Sequence, residues 1–382
     1  MVNKKRLIKL TQQLIRINSE NPPGNEYRIA IRVKDYLEDM GFKTRTYEFA
    51  DKRTNVMGIL EGNKTKKSLL LALHLDTVPA GRNWRFPPYQ AKIYKGRIYG
   101  RGATDCKGNL ASSLEAIRSL KERKIKLDYN LIFLATADEE TGSKFGLIPL
   151  LEKRIVRPDV AIILDADDFG IIIAQKGLIH FKIKVSGKKA HGAYPENGIN
   201  AIEIAVEIIR KLKELKLSSR PHPLLKLPTI NVGTIKGGDK VNVVADWCEF
   251  EVDLRFLPGM NPEDILKKIR RVIKKYTDNF KIEVQDVQRP YRIDRHHLLV
   301  DSMVKAIRKV GLKPKIKGSH GATVITFFQD KGIPAIATGF GVTNCAHKTD
   351  EYAMIRDLYA GARMLEIFLR NFNFNFKKIN LR

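Results

Sequence analysis

The chain has 382 residues, 43% of them hydrophobic, and its 69 basic and 42 acidic residues give a formal net charge of +27. A chain of this length normally buries sizeable cores in two domains, and the absence of an apolar run of about 18 residues excludes a membrane-spanning helix. Its three cysteines show no pairing pattern, and its first residues lack the apolar core of a signal peptide, so we expect a cytoplasmic protein.

The positive charge does not indicate a nucleic-acid partner. Basic residues are spread along the whole chain, and the densest cluster, residues 267–275, alternates with Ile and Val at helical spacing. This pattern is typical of the solvated face of an amphipathic helix, and no aromatic residues interleave with it as they do in single-strand binders. A positive field around a cleft would instead attract small carboxylate-bearing substrates. We therefore expect neither nucleic acid nor a membrane as partner.

Three apolar stretches of strand length each end in side chains that can bind metal or move protons. These side chains are His74 and Asp76, then Glu139 and Glu140, and then Asp165. Open α/β sheets place their ligands at the carboxyl ends of their strands, so we expect these side chains to face a common crevice. The carboxylate of Asp76 would accept the second ring N–H of His74 and fix its tautomer.

Two further segments add to this set. A Gly-rich loop at residues 99–109 supplies Asp105 and opens a helical pattern from about residue 110 to 123, and residues 341–351 supply His347. Two imidazoles and three carboxylates, without a thiolate, suit zinc, cobalt or manganese. They are too many for one catalytic zinc with an open position, and they fit two ions that share a carboxylate. Of two adjacent glutamates, one can bind metal while the other acts as general base.

Five motifs in this order resemble those of the dinuclear-zinc peptidase and deacylase family. That family includes acetylornithine deacetylase, succinyl-diaminopimelate desuccinylase, aminoacylase and glutamate carboxypeptidase. The motifs are residues 74–79 (HLDTVP), 100–108 (GRGATDCKG), 138–142 (DEETG), 187–202 (beginning GKKAH) and 346–351 (AHKTDE).

The resemblance implies two divalent metal ions per protomer, zinc first, with cobalt or manganese as alternatives. The ligands that it implies are His74, Asp105 and Asp165 for one ion, and Asp105, Glu140 and His347 for the other. Asp105 would then bridge the two ions. Glu139 would be the general base, and Asp76 would orient His74.

The pattern of elements changes near Gly177. Before it, strands alternate with helices, which is typical of a parallel-rich sheet. After it, the order β-α-β-β-α-β predicts a ferredoxin-like α+β unit. We therefore expect an α/β fold in which residues 1–177 and 291–382 form an α/β/α zinc-peptidase-like catalytic domain. Residues 178–290 would form an inserted domain, which the resemblance identifies as a dimerisation or lid domain.

In the inserted domain, the resemblance assigns one histidine and three further residues to the substrate. His191 would reach the active site of the neighbouring subunit and stabilise the developing oxyanion, which requires a homodimer. Tyr194, Asn242 and Arg255 match positions that contact substrate in the deacylases. For Arg255, a salt bridge on the strand surface is the alternative.

These features predict a metal-dependent amidohydrolase that cleaves the amide bond of an N-acyl amino acid, as acetylornithine deacetylase and succinyl-diaminopimelate desuccinylase do. The alternative is a metallo-exopeptidase, either a carboxypeptidase or a dipeptidase, that uses the same site on short peptides. Two departures from the family bear on this choice: Asp165 replaces a common glutamate, and residues 318–326 lack the Asp and Arg with which several deacylases hold a substrate carboxylate. The acyl group and the amino-acid side chain stay open.

Overall fold

The structure is a computed structural model that describes residues 1–217, 220–321 and 323–374. Its helices are α1 (Lys4–Ile15), α2 (Tyr27–Asp39), α3 (Lys107–Glu122), α4 (Leu147–Glu152), α5 (Ala201–Glu214), α6 (Pro262–Ile273), α7 (Leu298–Lys309), α8 (Ile325–Asp330) and α9 (Ile355–Asn371). None of the helices in these ranges combines the length and the hydrophobicity that crossing a membrane requires.

The strands are, in chain order, β1 (Lys43–Glu48), β2 (Thr54–Leu60), β3 (Ser68–His74), β4 (Lys92–Tyr94), β5 (Arg97–Tyr99), β6 (Asn130–Thr136), β7 (Val160–Ile163), β8 (Gly170–Gln175), β9 (Gly177–Ser186), β10 (Thr229–Gly237), β11 (Trp247–Phe256), β12 (Phe280–Gln288), β13 (Tyr291–Arg292), β14 (Lys315–Ser319), β15 (Ala335–Ala337) and β16 (Tyr352–Met354). Short 3₁₀ turns lie at Glu139–Thr141 and Pro195–Asn197.

The chain divides into two compact units. The first comprises Met1–Ile173, Ile293–Lys317 and the chain from Phe327 onwards, and the second comprises Ala174–Arg292 and Gly318–Thr326. The element pattern of the sequence predicts residues 318–326 in the first domain. The structure places them in the second unit, where Gln175 Nε2 donates to the carbonyl oxygen of Thr323 at 3.2 Å and Thr323 Oγ1 donates to Gln175 Oε1 at 2.9 Å. Ala322, in the same stretch, lies outside the described residues.

A twisted sheet in the first unit positions the ends of three neighbouring strands. Its order is β1-β2-β6-β3-β7-β15-β8, and β6, β3, β7 and β15 run parallel. His74 at the end of β3 lies opposite Thr136 at the end of β6, and Ala72 lies opposite Ile163 at the end of β7. All residues of β3 are buried, as is usual for parallel strands covered on both faces. The carboxyl ends of β6, β3 and β7 therefore share one edge.

Helices cover this sheet and its loops. Helix α3 packs against α1 and α9, α7 packs against α9, and α2 packs on β1 and β2. Helix α3 begins at Lys107, three residues before the predicted start, directly behind the loop that carries Asp105. Almost all of α3 is buried, so the loop before it is attached to a fixed element.

The second unit has the predicted order β9-α5-β10-β11-α6-β12, and its antiparallel sheet has the order β10-β11-β9-β12. The side chain of Asn200 caps α5 and that of Asn261 caps α6, where Pro262 takes the first helical position. On α6, three isoleucines at helical spacing are buried while the basic residues are exposed, as the alternating pattern predicts. The predicted fold class, an α/β domain with an inserted ferredoxin-like unit, is confirmed.

Candidate dinuclear metal site

The metal-ligand types predicted from the sequence meet at the shared strand edge of the first unit. His74 is the last residue of β3, and Asp165 lies two residues beyond β7. Glu139 and Glu140 open the 3₁₀ turn that follows β6. His347, whose side chain is 53% exposed, comes from the loop before β16.

Asp105 lies between the two histidines. Its Oδ1 is 2.9 Å from His74 Nε2, and its Oδ2 is 3.0 Å from His347 Nε2. His74 Nε2 is also 3.7 Å from Asp165 Oδ1, and His347 Nε2 is 3.1 Å from Glu140 Oε2. The two oxygens of one carboxylate therefore face two separate sets of ligand atoms.

This donor set fits two divalent ions. In a tetrahedral zinc site with bonds of ~2.0–2.2 Å, neighbouring ligand atoms lie about 3.3–3.6 Å apart, close to the spacings above. The ligand atoms of Asp105, Glu140 and His347 all lie within 4.8 Å of one another, and so do those of His74, Glu139 and Asp165. Within the described residues, the buried Oε1 of Glu140 has no hydrogen-bond partner, and a cation would supply one.

The electrostatics of the carboxylates also favour bound cations. Burial raises the pKa of Glu139, and the neighbouring carboxylate of Asp165 raises it further. Burial and then the carboxylate of Asp105 raise the pKa of Asp165 in the same way. Burial raises the pKa of Glu140 in spite of its hydrogen bond with His347. Ionised carboxylates crowded in a buried place are costly unless opposite charge accompanies them, and two divalent ions would supply that charge.

Cys106 follows Asp105 and lies near His74, but its thiol is poorly suited to bind metal. Burial raises the pKa of this thiol to about 12, which keeps it protonated while no cation is bound. Its Sγ instead donates to the carbonyl oxygen of His74 at 3.3 Å. The donor set therefore keeps the nitrogen and oxygen character expected from the sequence.

Asp76 contacts residues on two sides of the site. His74 Nδ1 lies 3.0 Å from the main-chain carbonyl oxygen of Asp76 and 3.5 Å from its Oδ1. The closer partner is thus the carbonyl, whereas the sequence analysis expected the carboxylate. In the neutral ring, a proton held on Nδ1 by this carbonyl leaves Nε2 available as a metal ligand. The carboxylate instead accepts the main-chain N–H groups of Glu139 at 3.2 Å and Glu140 at 3.1 Å.

Asn21 is a site residue that the sequence analysis missed. Its Nδ2 donates to Asp76 Oδ2 at 2.8 Å, to Thr141 Oγ1 at 3.0 Å and to Asp138 Oδ1 at 3.3 Å. Arg53 forms a buried ion pair with the same Asp138 oxygen at 2.8 Å. A lone asparagine before two prolines gives no sequence signal for these contacts. Asn21 and Arg53 thus hold Asp138, the residue directly before the turn with the two glutamates.

His191, Tyr194 and Asn242 lie on two joined loops of the second unit. The N–H of Gly192 donates to the carbonyl oxygen of Asn242 at 2.9 Å, and His191 pairs with Val243 in an isolated bridge. A Cβ at Gly192 would meet the backbone of Asn242 at 3.0 Å, so glycine permits this close approach. The rings of His191 and Tyr194 are 6.0 Å apart, and Tyr194 is 60% exposed. The structure brings these three residues together.

Arg255 lies on β11 of the second unit and is engaged by a neighbour on the same strand. Its Nε and Nη2 donate to the carboxylate of Asp253 at 2.7 and 2.9 Å. This bidentate pair is the salt bridge that the sequence analysis gave as the alternative to substrate contact. The substrate role of Arg255 stays a prediction.

Known proteins are similar to this chain in sequence and in fold. Residues 70–371 match the model of peptidase family M20/M25/M40. The chain is 30% identical over 379 residues to the succinyl-diaminopimelate desuccinylase of Orientia tsutsugamushi, covering 95% of each chain. Its structure is similar to that of aminopeptidase PepT from Bacillus cereus, with a TM-score of 0.82, 24% identity and coverage of 97% of this chain and 98% of the other.

A third similarity concerns metal. The YXEP protein of Bacillus subtilis, described as a dinuclear metal binding peptidase, gives a TM-score of 0.76 at 16% identity and covers 96% of this chain and 97% of its own. The region matched by the family model contains every metal ligand predicted from the sequence. The family resemblance is thereby confirmed. The chain belongs to peptidase family M20/M25/M40 and is a metal-dependent hydrolase that acts on amide bonds.

Proposed function

We propose that this hydrolase removes the acyl group from an N-acyl amino acid. The observation that carries the proposal is the position of Asp105, whose two oxygens face His74 and His347 at 2.9 and 3.0 Å. Glu139 lies beside the same groups, with its ligand atom in one set with His74 and Asp165. A shared carboxylate with an additional glutamate next to it is the arrangement that two-metal hydrolysis needs.

In this proposal, the chain holds two divalent ions through nitrogen and oxygen ligands. The ligands are His74, Asp105 and Asp165 for one ion, and Asp105, Glu140 and His347 for the other. Zinc is the first choice for such a set, and cobalt and manganese are alternatives. When bound, two such ions polarise the carbonyl of the scissile amide and lower the pKa of water.

Glu139 is the general base of the proposed reaction. Its main-chain N–H donates a hydrogen bond to Asp76 Oδ1 at 3.2 Å, so its side chain projects from a turn whose backbone is fixed. The carboxylate takes one proton from the attacking water as the new C–O bond forms at the amide carbon. It then returns that proton to the leaving nitrogen as the C–N bond breaks, so a carboxylic acid and an amine are released.

His191 serves the active site of a second copy in this proposal, which requires a homodimer. The ring is exposed, and its Nδ1 accepts the N–H of Ala193 at 3.0 Å. A neutral ring that accepts through Nδ1 carries its proton on Nε2, which is then a donor. Within the described part of the chain, this Nε2 has no hydrogen-bond partner. A donor held ready in this way can stabilise the oxyanion that forms on the substrate carbonyl.

Exopeptidase action is the second candidate function, and residues 318–326 argue against one class of deacylase substrate. Val324 and Thr326 stand where several deacylases have the Asp and Arg that hold a substrate carboxylate. Val324 is buried, and the hydroxyl of Thr326 donates to the carbonyl oxygen of Arg289. Neither residue offers a charge to a second carboxylate. A substrate with one carboxylate therefore suits the chain better than succinyl-diaminopimelate, which has several.

A substrate panel on metal-stripped and metal-loaded protein tests both functions. We expect no hydrolysis by the stripped protein, and recovery when zinc, cobalt or manganese reaches two ions per chain by elemental analysis. N-acetyl amino acids should then show a higher kcat/KM than dipeptides with the same C-terminal residue, and N-succinyl amino acids a lower one than their N-acetyl counterparts. A preference for dipeptides would establish the exopeptidase instead. Full activity at one ion per chain would refute the dinuclear site.

A further inference from the structure

The loop that carries Asp105 is fixed by hydrogen bonds from its main chain to the buried carboxylate of Glu351, which lies four residues after His347. Glu351 Oε1 accepts the main-chain N–H groups of Thr104 at 2.9 Å and of Asp105 itself at 3.0 Å. Its Oε2 accepts the N–H of Gly102 at 3.1 Å. Three backbone groups of one short loop therefore converge on a single side chain.

Arg101 compensates the charge of Glu351 and extends the contact to the segment of His347. Its Nη1 donates to Glu351 Oε2 at 2.6 Å and to the carbonyl oxygen of Lys348 at 3.3 Å. Its Nη2 donates to the carbonyl oxygens of Pro79 at 3.2 Å and His347 at 3.4 Å. The pair thereby joins the loop of Asp105 to the main-chain carbonyls of His347 and of the residue after it.

The backbone of the loop leaves little freedom for any other arrangement. Gly102 has a φ of +83°, and a Cβ there would lie 2.8 Å from Thr77 and 2.9 Å from the stem of Lys107. The side chains of Arg101 and Glu351 are 2% and 1% exposed. Hydrogen bonds between charged groups that are excluded from solvent are strong, and loss of one partner leaves the charge of the other buried and uncompensated.

We propose that Glu351, with Arg101, is a positioning residue for the metal ion that Asp105 shares with Glu140 and His347. This inference rests on the ligand roles of the proposed function. The orientation of Asp105 matters more than that of an ordinary ligand, because its two oxygens face different histidines at 2.9 and 3.0 Å. A carboxylate that fixes the N–H of Asp105 and the N–H before it sets this orientation. The hydrogen bond from Arg101 to the main-chain carbonyl of His347 fixes the position of the second ligand, His347.

A buried glutamate elsewhere in the same unit provides a matched control. Glu115 on α3 is also 1% exposed, and its Oε2 pairs with Arg6 Nε at 2.6 Å while its Oε1 accepts the N–H of Asn3 at 2.6 Å. It has the same kind of partners as Glu351, but it contacts none of the proposed metal ligands. A purely structural role for Glu351 predicts that the two glutamates respond alike.

The experiment compares Glu351→Gln with Glu115→Gln in the full chain. The glutamine amide at position 351 would direct N–H groups at backbone N–H groups, so part of the loop loses its acceptor. Metal-free proteins are titrated with zinc against a chelator of known affinity, and the Co²⁺ complexes are compared by visible absorption. Thermal unfolding is measured on the same samples.

We expect Glu351→Gln to weaken binding of one of the two ions about 10–100-fold and to alter the Co²⁺ spectrum, as changes behind metal ligands typically do. Glu115→Gln should lower the unfolding temperature and leave both affinities unchanged. Arg101→Lys keeps the charge but loses the contacts that the two Nη atoms make at once, so it should weaken binding of the same ion by a smaller factor. If Glu351→Gln does not fold, Arg101→Lys tests the inference in its place. The inference alone would be overturned if wild-type protein binds two ions and either Glu351→Gln or Arg101→Lys binds both of them as tightly as the wild type does. Wild-type protein that binds one ion would overturn the dinuclear proposal and this inference with it.

Discussion

Apart from the half-exposed His347, the site residues of the first unit and the residues proposed to meet the substrate in the second unit are held in opposite ways. In the first unit, His74, Asp76 and Asn21 are buried, and each makes hydrogen bonds with other residues of the site. In the second unit, His191 and Tyr194 are exposed on loops. Groups that must bind ions benefit from a fixed arrangement, whereas groups that meet a substrate must stay accessible.

The backbone shows the same contrast. In the first unit, side chains such as Asp76 and Glu351 fix the main chain next to the proposed ligands. In the second unit, the loops of His191 and Asn242 are joined by the main-chain hydrogen bond that Gly192 donates to Asn242. We infer that the first unit is preorganised for its ions, and that the exposed groups of the second unit are completed by a substrate or by a second copy. Three changes test this comparison.

The largest effect should come from Glu139→Gln. Loss of the general base should lower kcat by ~10²–10⁴, the usual contribution of such a group, while both metal ions and substrate binding are retained. Glu140→Gln should instead lose affinity for one ion, because Glu140 Oε2 lies 3.1 Å from His347 Nε2. Steady-state kinetics and elemental analysis on the same preparations distinguish the two. Metal loss from the change at position 139, and not at position 140, would exchange their roles.

The second test concerns the exposed histidine. His191→Ala should leave unfolding unchanged, because the ring is exposed, and should lower kcat by ~10²–10³, as removal of an oxyanion donor does. Its matched control is His222→Ala, because His222 Nδ1 accepts the N–H of Leu224, two residues on, at 3.2 Å, just as His191 accepts that of Ala193. The control should leave kcat unchanged.

Mixing two inactive proteins shows whether His191 acts on a second copy. After dissociation and reassociation of His191→Ala with Glu139→Gln, half of the dimers are mixed, and one of their two sites has both an intact base and the partner's histidine. Activity should approach ~¼ of wild type. Labelled subunits confirm that exchange has taken place. Exchange without recovery of activity would reject the shared site.

The smallest effect should come from Asn21→Ala. The change removes a buried donor from three acceptors, so we expect the free energy of unfolding to fall by about 1–3 kcal/mol. Because Asp76 loses one of the contacts that hold it, kcat should also fall about 10-fold, with metal content retained. Asn200→Ala removes the cap of α5 at a cost of about 0.5–2 kcal/mol and should leave kcat unchanged. Urea unfolding and kinetics measure both, and equal kcat in the two variants would contradict the role of Asn21.

The positions of His74 and Asp165 at strand ends could be predicted, because each marks a local change of chemistry. An apolar stretch of strand length ends at His74, and another ends just before Asp165, so periodicity alone indicates where the strands end. The helix starts of the second unit are local in the same way, since Asn200 and Asn261 cap helices within three residues of themselves. Such signals need no knowledge of distant parts of the chain.

The supporting contacts could not be predicted, because they depend on distant segments and on backbone direction. Asn21 meets Asp76 across 55 residues, and Arg101 meets Glu351 across 250 residues. The carboxylate of Asp76 accepts two main-chain N–H groups of a turn that begins at Asp138 with a φ of +65°. No pattern in residues 74–76 indicates that turn. The carbonyl of Asp76 consequently replaced the expected carboxylate as the closer partner of His74.

The order of the ligands along the chain bears on how the site is assembled during synthesis. His74, Asp105, Glu140 and Asp165 all precede the second unit, whereas His347 follows it. A growing polypeptide folds from its amino end as it leaves the ribosome. The nascent chain therefore presents all proposed ligands of one ion before the last ligand of the other has been translated. Because Glu351 fixes the main chain of Asp105, however, we expect firm binding of either ion only after residues 347–351 have been translated.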